Sequence, residues 1–298
     1  MSAALAYYPG CSQTASAREY DLSTRACCQT LGVELNDVPD WTCCGSTPAH
    51  ATDHALAAAL AARNLAQAMD TGASNLATPC PSCLLALRTA QSRCENEGFK
   101  GRVEVLLGRP ATLSIRTRSI LQVLMEDLGL EALAEKAVRP LKGLRVASYY
   151  GCLMTRPVGL MAFEDPDNPT AMDRLFLALG AEAAPFALKT ECCGAALGVP
   201  RKEAVLELSG RILAAAEESG ANVLAVACPL CQMNLDLRRE QIEGYTGQRS
   251  TLPVLYFTQL LGLALGLPEE ALGLGLHNVG TRPVLDILRR TWASEDVG

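Results

Sequence analysis

The sequence predicts an α/β protein of two pseudo-equivalent domains, each a small parallel sheet with flanking helices and a cysteine-rich site. Three observations carry this. A short apolar run leads through a glycine turn into a cysteine twice, residues 4–8 before Cys11 and residues 144–150 before Cys152. An alanine-rich helical pattern followed by a second short apolar run also occurs twice. The cysteines then repeat one order, a single Cys, Cys-Cys-Gly and Cys-Pro-x-Cys.

The first apolar runs read as strands that present a cysteine at their carboxyl ends, glycine allowing close backbone approach to whatever the thiol binds. Residues 16–31 carry apolar positions at helical spacing and stop at Gly32; residues 170–179 do the same before Gly180. Matching Leu31-Gly32-Val33-Glu34 to Leu179-Gly180-Ala181-Glu182 gives an offset of 148. After each Cys-Cys-Gly comes a helix, 49–69 or 202–218, closed by Gly72 or Gly220, and then a strand, 75–78 or 222–227. That strand runs into Cys-Pro-x-Cys, where proline suits a first helical turn and the helix dipole favours ionised thiols. The tails 117–133 and 254–272 match as an apolar helix followed by a second. A boundary near residues 138–142, punctuated by Pro140 and Gly143, divides the chain into domains 1–141 and 142–298.

A chain of 298 residues suffices for two domains, each burying its own core. Hydrophobic residues make up 49% and charged residues 19%, an ordinary globular balance. A net charge of −6 without a basic run indicates no nucleic acid partner and no anionic-membrane patch. The amino terminus lacks a basic region and an apolar run long enough for a signal peptide. The apolar stretch 252–276 is interrupted by Pro253, Gln259 and Pro268-Glu269-Glu270, so no membrane span is expected. The chain therefore reads as cytoplasmic, and its thirteen cysteines point to metal ligation or redox chemistry, not disulfides.

Internal comparison sorts those cysteines. Ten recur: Cys11, Cys43, Cys44, Cys80 and Cys83, then Cys152, Cys192, Cys193, Cys228 and Cys231. Cys27, Cys28 and Cys94 fall opposite Leu175, Phe176 and Ile242 and read as small buried hydrophobes. The gaps are 31 and 35 residues in the first half and 39 and 34 in the second, the segment 156–168 being the longer one. Five thiols exceed the four that a structural zinc or a cubane iron–sulfur cluster takes. Adjacent cysteines diverge, so a vicinal pair suits two neighbouring irons of an extended cluster better than one ion.

The doubled pattern resembles the cysteine-rich CCG domain family, and nearly the whole chain resembles the B-type component of heterodisulfide reductase. Tyr-Pro-Gly-Cys at Cys11, Asp-Pro-x-Asn-Pro-Thr at residues 165–170 and Pro-Val-Leu-Tyr-Phe-Thr-Gln at residues 253–259 support this. The resemblance implies that each set of five cysteines holds a non-cubane [4Fe-4S] cluster, with a disulfide substrate between the two. Two one-electron centres match the two electrons that S–S cleavage requires. It further implies two partners from a heterodisulfide reductase complex, a C-type ferredoxin protein with cubane clusters and an A-type flavoprotein, since no glycine-rich dinucleotide fingerprint follows a strand here. Sulfur-oxidising relatives suggest the reverse direction, on a lipoyl-protein substrate. Two other readings stay open: a zinc- or cluster-binding module for electron relay or assembly, with zinc in one site, and a CCG component of a glycolate- or lactate-oxidising complex. The lack of an amino-terminal ferredoxin module speaks against the latter.

His50 and His54, four apart on one expected helix, read as surface residues, and His277 carries no signal. Arg18, Arg156 and Lys189 lie close in sequence to the cluster cysteines and are the candidates for receiving an anionic substrate tail. The apolar runs 262–266 and 271–276 are expected to pack against a partner or the core.

Overall fold

The structure, a computed structural model, describes residues 5–295. It shows two four-stranded, all-parallel sheets. The first half runs β1 (Leu5–Tyr7), α1 (Arg18–Leu31), β2 (Leu35–Asp37), α2 (Pro48–Thr52), α3 (His54–Asp70), β3 (Asn75–Thr78), α4 (Pro81–Arg93), α5 (Glu97–Leu107), β4 (Arg116–Ser119), α6 (Ile120–Val123) and α7 (Gly129–Lys136). The second half repeats the plan with β5 (Arg145–Tyr149), α8 (Val158–Met161), α9 (Ala171–Ala178), β6 (Glu182–Ala183), α10 (Lys202–Glu218), β7 (Val223–Val226), α11 (Pro229–Gln232), α12 (Arg239–Thr246), β8 (Val254–Tyr256), α13 (Phe257–Ala264) and α14 (Arg282–Glu295). Residue 4, read as the start of the first strand, lies outside the described residues, as do the outermost residues of both expected domains.

Sheet orders are β2-β1-β3-β4 and β6-β5-β7-β8. In each, the chain first moves outward from the central strand and then crosses back to its other side, which creates a switch point between β1 and β3 or between β5 and β7. Ligands of open parallel sheets bind outside the carboxyl ends of such strands.

Three expected elements need correction. The single helix 49–69 is two, because Asp53 adopts an extended conformation and its carboxylate accepts the Leu56 amide at 2.8 Å, capping α3. The tails 117–133 and 254–272 each begin as strand: their first residues complete the sheets as β4 and β8 before the helix starts. Sheet pairing overrides a helical apolar pattern there. β2 and β6 were not legible because they are short edge strands with polar, partly exposed residues.

The core also differs from two separate ones. Side chains alternate across the first sheet, so Leu5 and Tyr7 join a large cluster that includes the second half's core, while Ala6, Tyr8 and Leu76 join a smaller one under α3, α4 and α5. The seam is reciprocal. Helix α1 packs on α13 of the other half, and its counterpart α9 packs on α7. Tyr20 stacks on Tyr256 with ring centroids 4.0 Å apart, the Ser23 and Thr258 hydroxyls meet at 2.7 Å, and Cys27 Sγ donates to the Thr258 carbonyl at 3.1 Å. The apolar runs at 262–266 and 271–276 contribute Leu263, Ala264, Leu272 and Leu274 to this core.

Candidate cysteine-rich redox centres

Cys11 and Cys80 follow β1 and β3, and Cys152 and Cys228 follow β5 and β7, so each switch point is flanked by two thiols. The preceding glycines have a positive φ, 78° at Gly10 and 66° at Gly151. A Cβ at Gly10 would stand 2.9 Å from Cys83 Sγ, and one at Gly151 2.8 Å from Cys231 Sγ. In both halves, then, the missing side chain is what lets the first cysteine's loop meet the last cysteine's sulfur.

The Cys-Cys-Gly loops are held from two sides. A fully buried tyrosine three residues before the first cysteine donates to the carbonyl preceding the vicinal pair: Tyr8 to Thr42 and Tyr149 to Glu191, both at 2.7 Å. On the other side, Gly45 and Gly194 lie against the following helix, their absent Cβ atoms 3.2 Å from the Ala57 backbone and 2.7 Å from Val205 Cγ2. Ala57 and Val205 are 148 residues apart, the offset read from the sequence. Neither tyrosine stands out in the sequence as a support, although both hold the same register to the first cysteine.

The sulfurs of each half cohere. All the thiols are free; Cys44 is hydrogen-bonded with Cys43 and Cys83, and Cys83 with Cys80, while Cys43 interacts electrostatically with Cys11. In the second half Cys152 is hydrogen-bonded with Cys192, Cys193 Sγ lies 3.6 Å from Cys231 Sγ, and Cys231 is hydrogen-bonded with Cys228. Backbone amides point at these sulfurs, Gly45 to Cys43 at 3.5 Å, Gly194 to Cys192 at 3.3 Å and Ala195 to Cys193 at 3.4 Å. Cys44 is accordingly held well below the usual thiol range by hydrogen bonds from Cys43 and then Cys83, which outweigh its burial. Cys192 falls to about 6, chiefly through Cys152, and Cys193 to about 7, chiefly through Cys231. Their partners Cys43, Cys83, Cys152 and Cys231 are pushed up, the donated hydrogen bond first and burial after it.

The three non-recurring cysteines behave differently. Burial pushes Cys27 up strongly, Cys28 to about 12 and Cys94 upward. Cys27 and Cys28 lie in the shared core and Cys94 in the smaller one.

Five thiols, amide donors aimed at sulfur and glycine gaps beside the last cysteine fit a sulfur-ligated multi-iron group in each half. Among the described residues, no three Cys, His, Asp or Glu side chains gather closely enough to hold a single metal ion. The two sets share a neighbour: burial lifts the Tyr20 hydroxyl well above its ordinary range, and Cys228 and Cys80, one from each set, add to the effect.

Of the candidate substrate residues, Lys189 and Arg156 lie beside Cys152, the Lys189 carbonyl accepting the Gly151 amide at 3.1 Å and the Arg156 amide donating to the Cys152 carbonyl at 3.2 Å. Lys189 Nζ is paired with Asp173 at 2.5 Å and donates to the Pro169 carbonyl at 3.2 Å. Arg156 pairs with Asp167 at 2.5 Å on the surface, and Arg18 is exposed. His277 is buried between Gln232, Gln259 and Asp236, and burial lowers its pKa. His50 and His54 sit on separate helices with ring centroids 5.0 Å apart. Both line a cleft of 140 Å³ between α3 and α4, with Cys44, Gly45 and Ser46 at one end and Leu153, the neighbour of Cys152, alongside. None of Arg18, Arg156 and Lys189 lines it. Sequence reasoning had no signal for this cleft beyond the small residues Ala57, Ala58, Ala86 and Ala90.

A doubled parallel sheet with a five-thiol site at each switch point defines a duplicated cysteine-rich protein. The chain belongs to the CCG family: the cysteine-rich domain model matches residues 5–88 and again 146–236. It is 35% identical to the 8-methylmenaquinol:fumarate reductase membrane anchor subunit of Wolinella succinogenes, over 94% of this chain and 98% of that one. It is 30% identical to the B component of the ferredoxin/F420H2-dependent CoB-CoM heterodisulfide reductase of Methanosarcina acetivorans, over 91% and 92%. Among solved structures, a hypothetical protein from Helicobacter pylori shares the fold with a TM-score of 0.75 at 15% identity; 93% of this chain matches about half, 52%, of that one.

Proposed function

We propose that this chain is the iron–sulfur component of a heterodisulfide reductase-like complex and carries its disulfide-reducing, or thiol-oxidising, centre. The observation that carries the reading is the duplication of the whole five-thiol arrangement, glycine gap and tyrosine prop included, at the switch points of two sheets joined by one core. Cys11, Cys43, Cys44, Cys80 and Cys83 would hold one non-cubane [4Fe-4S] cluster and Cys152, Cys192, Cys193, Cys228 and Cys231 the other. When bound, each cluster passes one electron, and two serve one S–S bond. The chain's own residues supply the rest. Tyr8 and Tyr149 fix the vicinal pairs, the amides of Gly45, Gly194 and Ala195 stabilise negative charge on sulfur, and the shared core holds the sets at a fixed separation.

Residues 1–141 and 142–298 would form the two domains, in a cytoplasmic complex with a C-type ferredoxin protein and an A-type flavoprotein. The relatives named as heterodisulfide reductase components support such partners. Among the described residues no helix is long and apolar enough to cross a membrane.

Anaerobic purification with iron and sulfide analysis tests this. About eight irons and eight sulfides per chain are expected from two four-iron clusters; zinc without sulfide would sink it. The 35% identity to the fumarate reductase protein favours a second reading, in which the same centre serves a quinol-linked complex. Turnover of a quinol analogue but of no disulfide or dithiol by the intact complex would select that reading.

A further inference from the structure

The two switch points differ in one respect that the duplication does not explain. The first leads into a cleft, and the residues that line it show why the second is filled. Ala86 and Ala90 on α4 face the cleft; at the offset of 148 their counterparts are Asn234 and Arg238. Those two larger side chains occupy the matching region of the second half: Asn234 Nδ2 bonds to the Cys193 carbonyl at 3.2 Å, and Arg238 Nε bonds to Asn234 Oδ1 at 3.2 Å. Arg238 also presses on Gly198, where an added Cβ would lie 2.4 Å from its Nη2.

The first cleft therefore runs open from Cys44 outward. Its inner walls are apolar, from Ala57, Ala58, Leu85, Ala86 and Ala90, and 140 Å³ accommodates a short hydrocarbon chain. At its outer end His54 and Arg93 also border a broader depression lined by Asn96, Phe99 and Arg102. Both guanidinium groups lie over the Phe99 ring, Arg93 at 5.8 Å and Arg102 at 5.2 Å from its centroid. Stacking on the ring pre-organises them. Asp53 lies close enough to Arg102 and His54 to interact with both, and its carboxylate is engaged in capping α3.

We infer that this cleft is the specificity pocket of the first centre: its apolar wall takes an alkyl chain, and Arg93, Arg102 and His54 take an anionic head group, so the substrate is admitted in one orientation. The inference rests on the redox reading for the word substrate, but its test involves no electron transfer. Octanoate and octanamide share a chain and differ in charge. In equilibrium dialysis against the anaerobically purified chain, octanoate should bind about tenfold more tightly than octanamide, two or three exposed charge contacts being worth that much together. Arg102→Gln, at an exposed position, should cut the preference to about threefold with octanamide binding unchanged. Ala86→Asn, which copies the second half's side chain into the first, should weaken both ligands about tenfold. Equal binding of octanoate and octanamide, or an unchanged ratio in Arg102→Gln, overturns the inference. A chain with full iron and sulfide but no such preference loses the pocket and keeps the redox centre; one with the preference but no sulfide loses the redox centre alone.

Discussion

The two halves hold the same five thiols in the same order, yet the first half leaves them open and the second closes over them. Cys11 and Cys43 are exposed, whereas their counterparts Cys152 and Cys192 are half-buried. The groove beside Cys44 is lined by alanines, and the groove beside Cys193 is filled by Asn234 and Arg238. Duplication thus preserved what fixes the sulfurs and let the approaches diverge. Residues that position thiols should respond alike in both halves, and residues around them should not.

The largest effects test the likeness. Cys44→Ser and Cys193→Ser should each abolish turnover, by at least about a hundredfold, with loss of roughly half the iron per chain, because each removes a thiolate from a five-ligand set. Cys94→Ser should leave both unchanged, its thiol being a core atom with raised pKa. An inactive, iron-poor Cys94→Ser would end the sorting of cysteines by repetition. Next in size are the glycine gaps. Gly10→Ala and Gly151→Ala each force a side chain into a left-handed backbone and against a sulfur under 3 Å away. A cost of about 2 to 4 kcal/mol is expected for each, with matching loss of iron. Iron loss from only one variant would mean that only one half holds a cluster.

The tyrosine props sharpen the comparison. Thr42's carbonyl keeps a second donor, Asn64 Nδ2 at 3.0 Å, when Tyr8 is shortened, whereas Glu191's carbonyl is held by Tyr149. Tyr149→Phe should therefore cost about 1 to 3 kcal/mol and Tyr8→Phe about 1 kcal/mol or less, read from thermal unfolding. Equal costs would show that Asn64 does not compensate.

Much of this was legible in the residues. The repeated cysteine order placed the single cysteines after strands and Cys-Pro-x-Cys at helix starts, because glycine, proline and apolar runs punctuate those positions directly; the vicinal pairs lie in the loops between. The opposite positions Leu175, Phe176 and Ile242 assigned Cys27, Cys28 and Cys94 to the core. What stayed hidden depends on contacts between distant segments. The edge strands at 35–37 and 182–183 acquire their form from a neighbouring strand and carry no apolar run of their own. The break at Asp53 turns on a single cap within an alanine-rich pattern. The cleft exists through small residues that are absent as signals, and its cations, Arg93 and Arg102, draw no attention beside the conspicuous cysteine motifs. Arg156 and Lys189 stood next to those motifs and are engaged with Asp167 and Asp173.

An effect that shows only as a dependence on pH lies at the seam where the halves meet. Glu19, on α1 of the first half, is buried to 4% exposure and carries a pKa raised to about 7, first by burial and then by Asp236 of the second half. Asp236 is committed elsewhere, accepting from Gln232 Nε2 and from the amides of Asn278 and Val279. A carboxyl raised from its unfolded value near 4.5 is bound to a proton in the fold at pH values where the unfolded chain has released it. Its contribution is complete below about pH 4.5 and is lost as pH rises through about 7. After discounting for partial solvent access, the loss amounts to about 1 to 2 kcal/mol. Glu19→Gln mimics the protonated form and should flatten the stability profile between about pH 5 and pH 8, measured as urea midpoints at about half-unit steps of pH. It should match the parent at the acid end of that window and exceed it at the alkaline end. A variant that tracks the parent throughout would show that Glu19 is not held protonated at the seam.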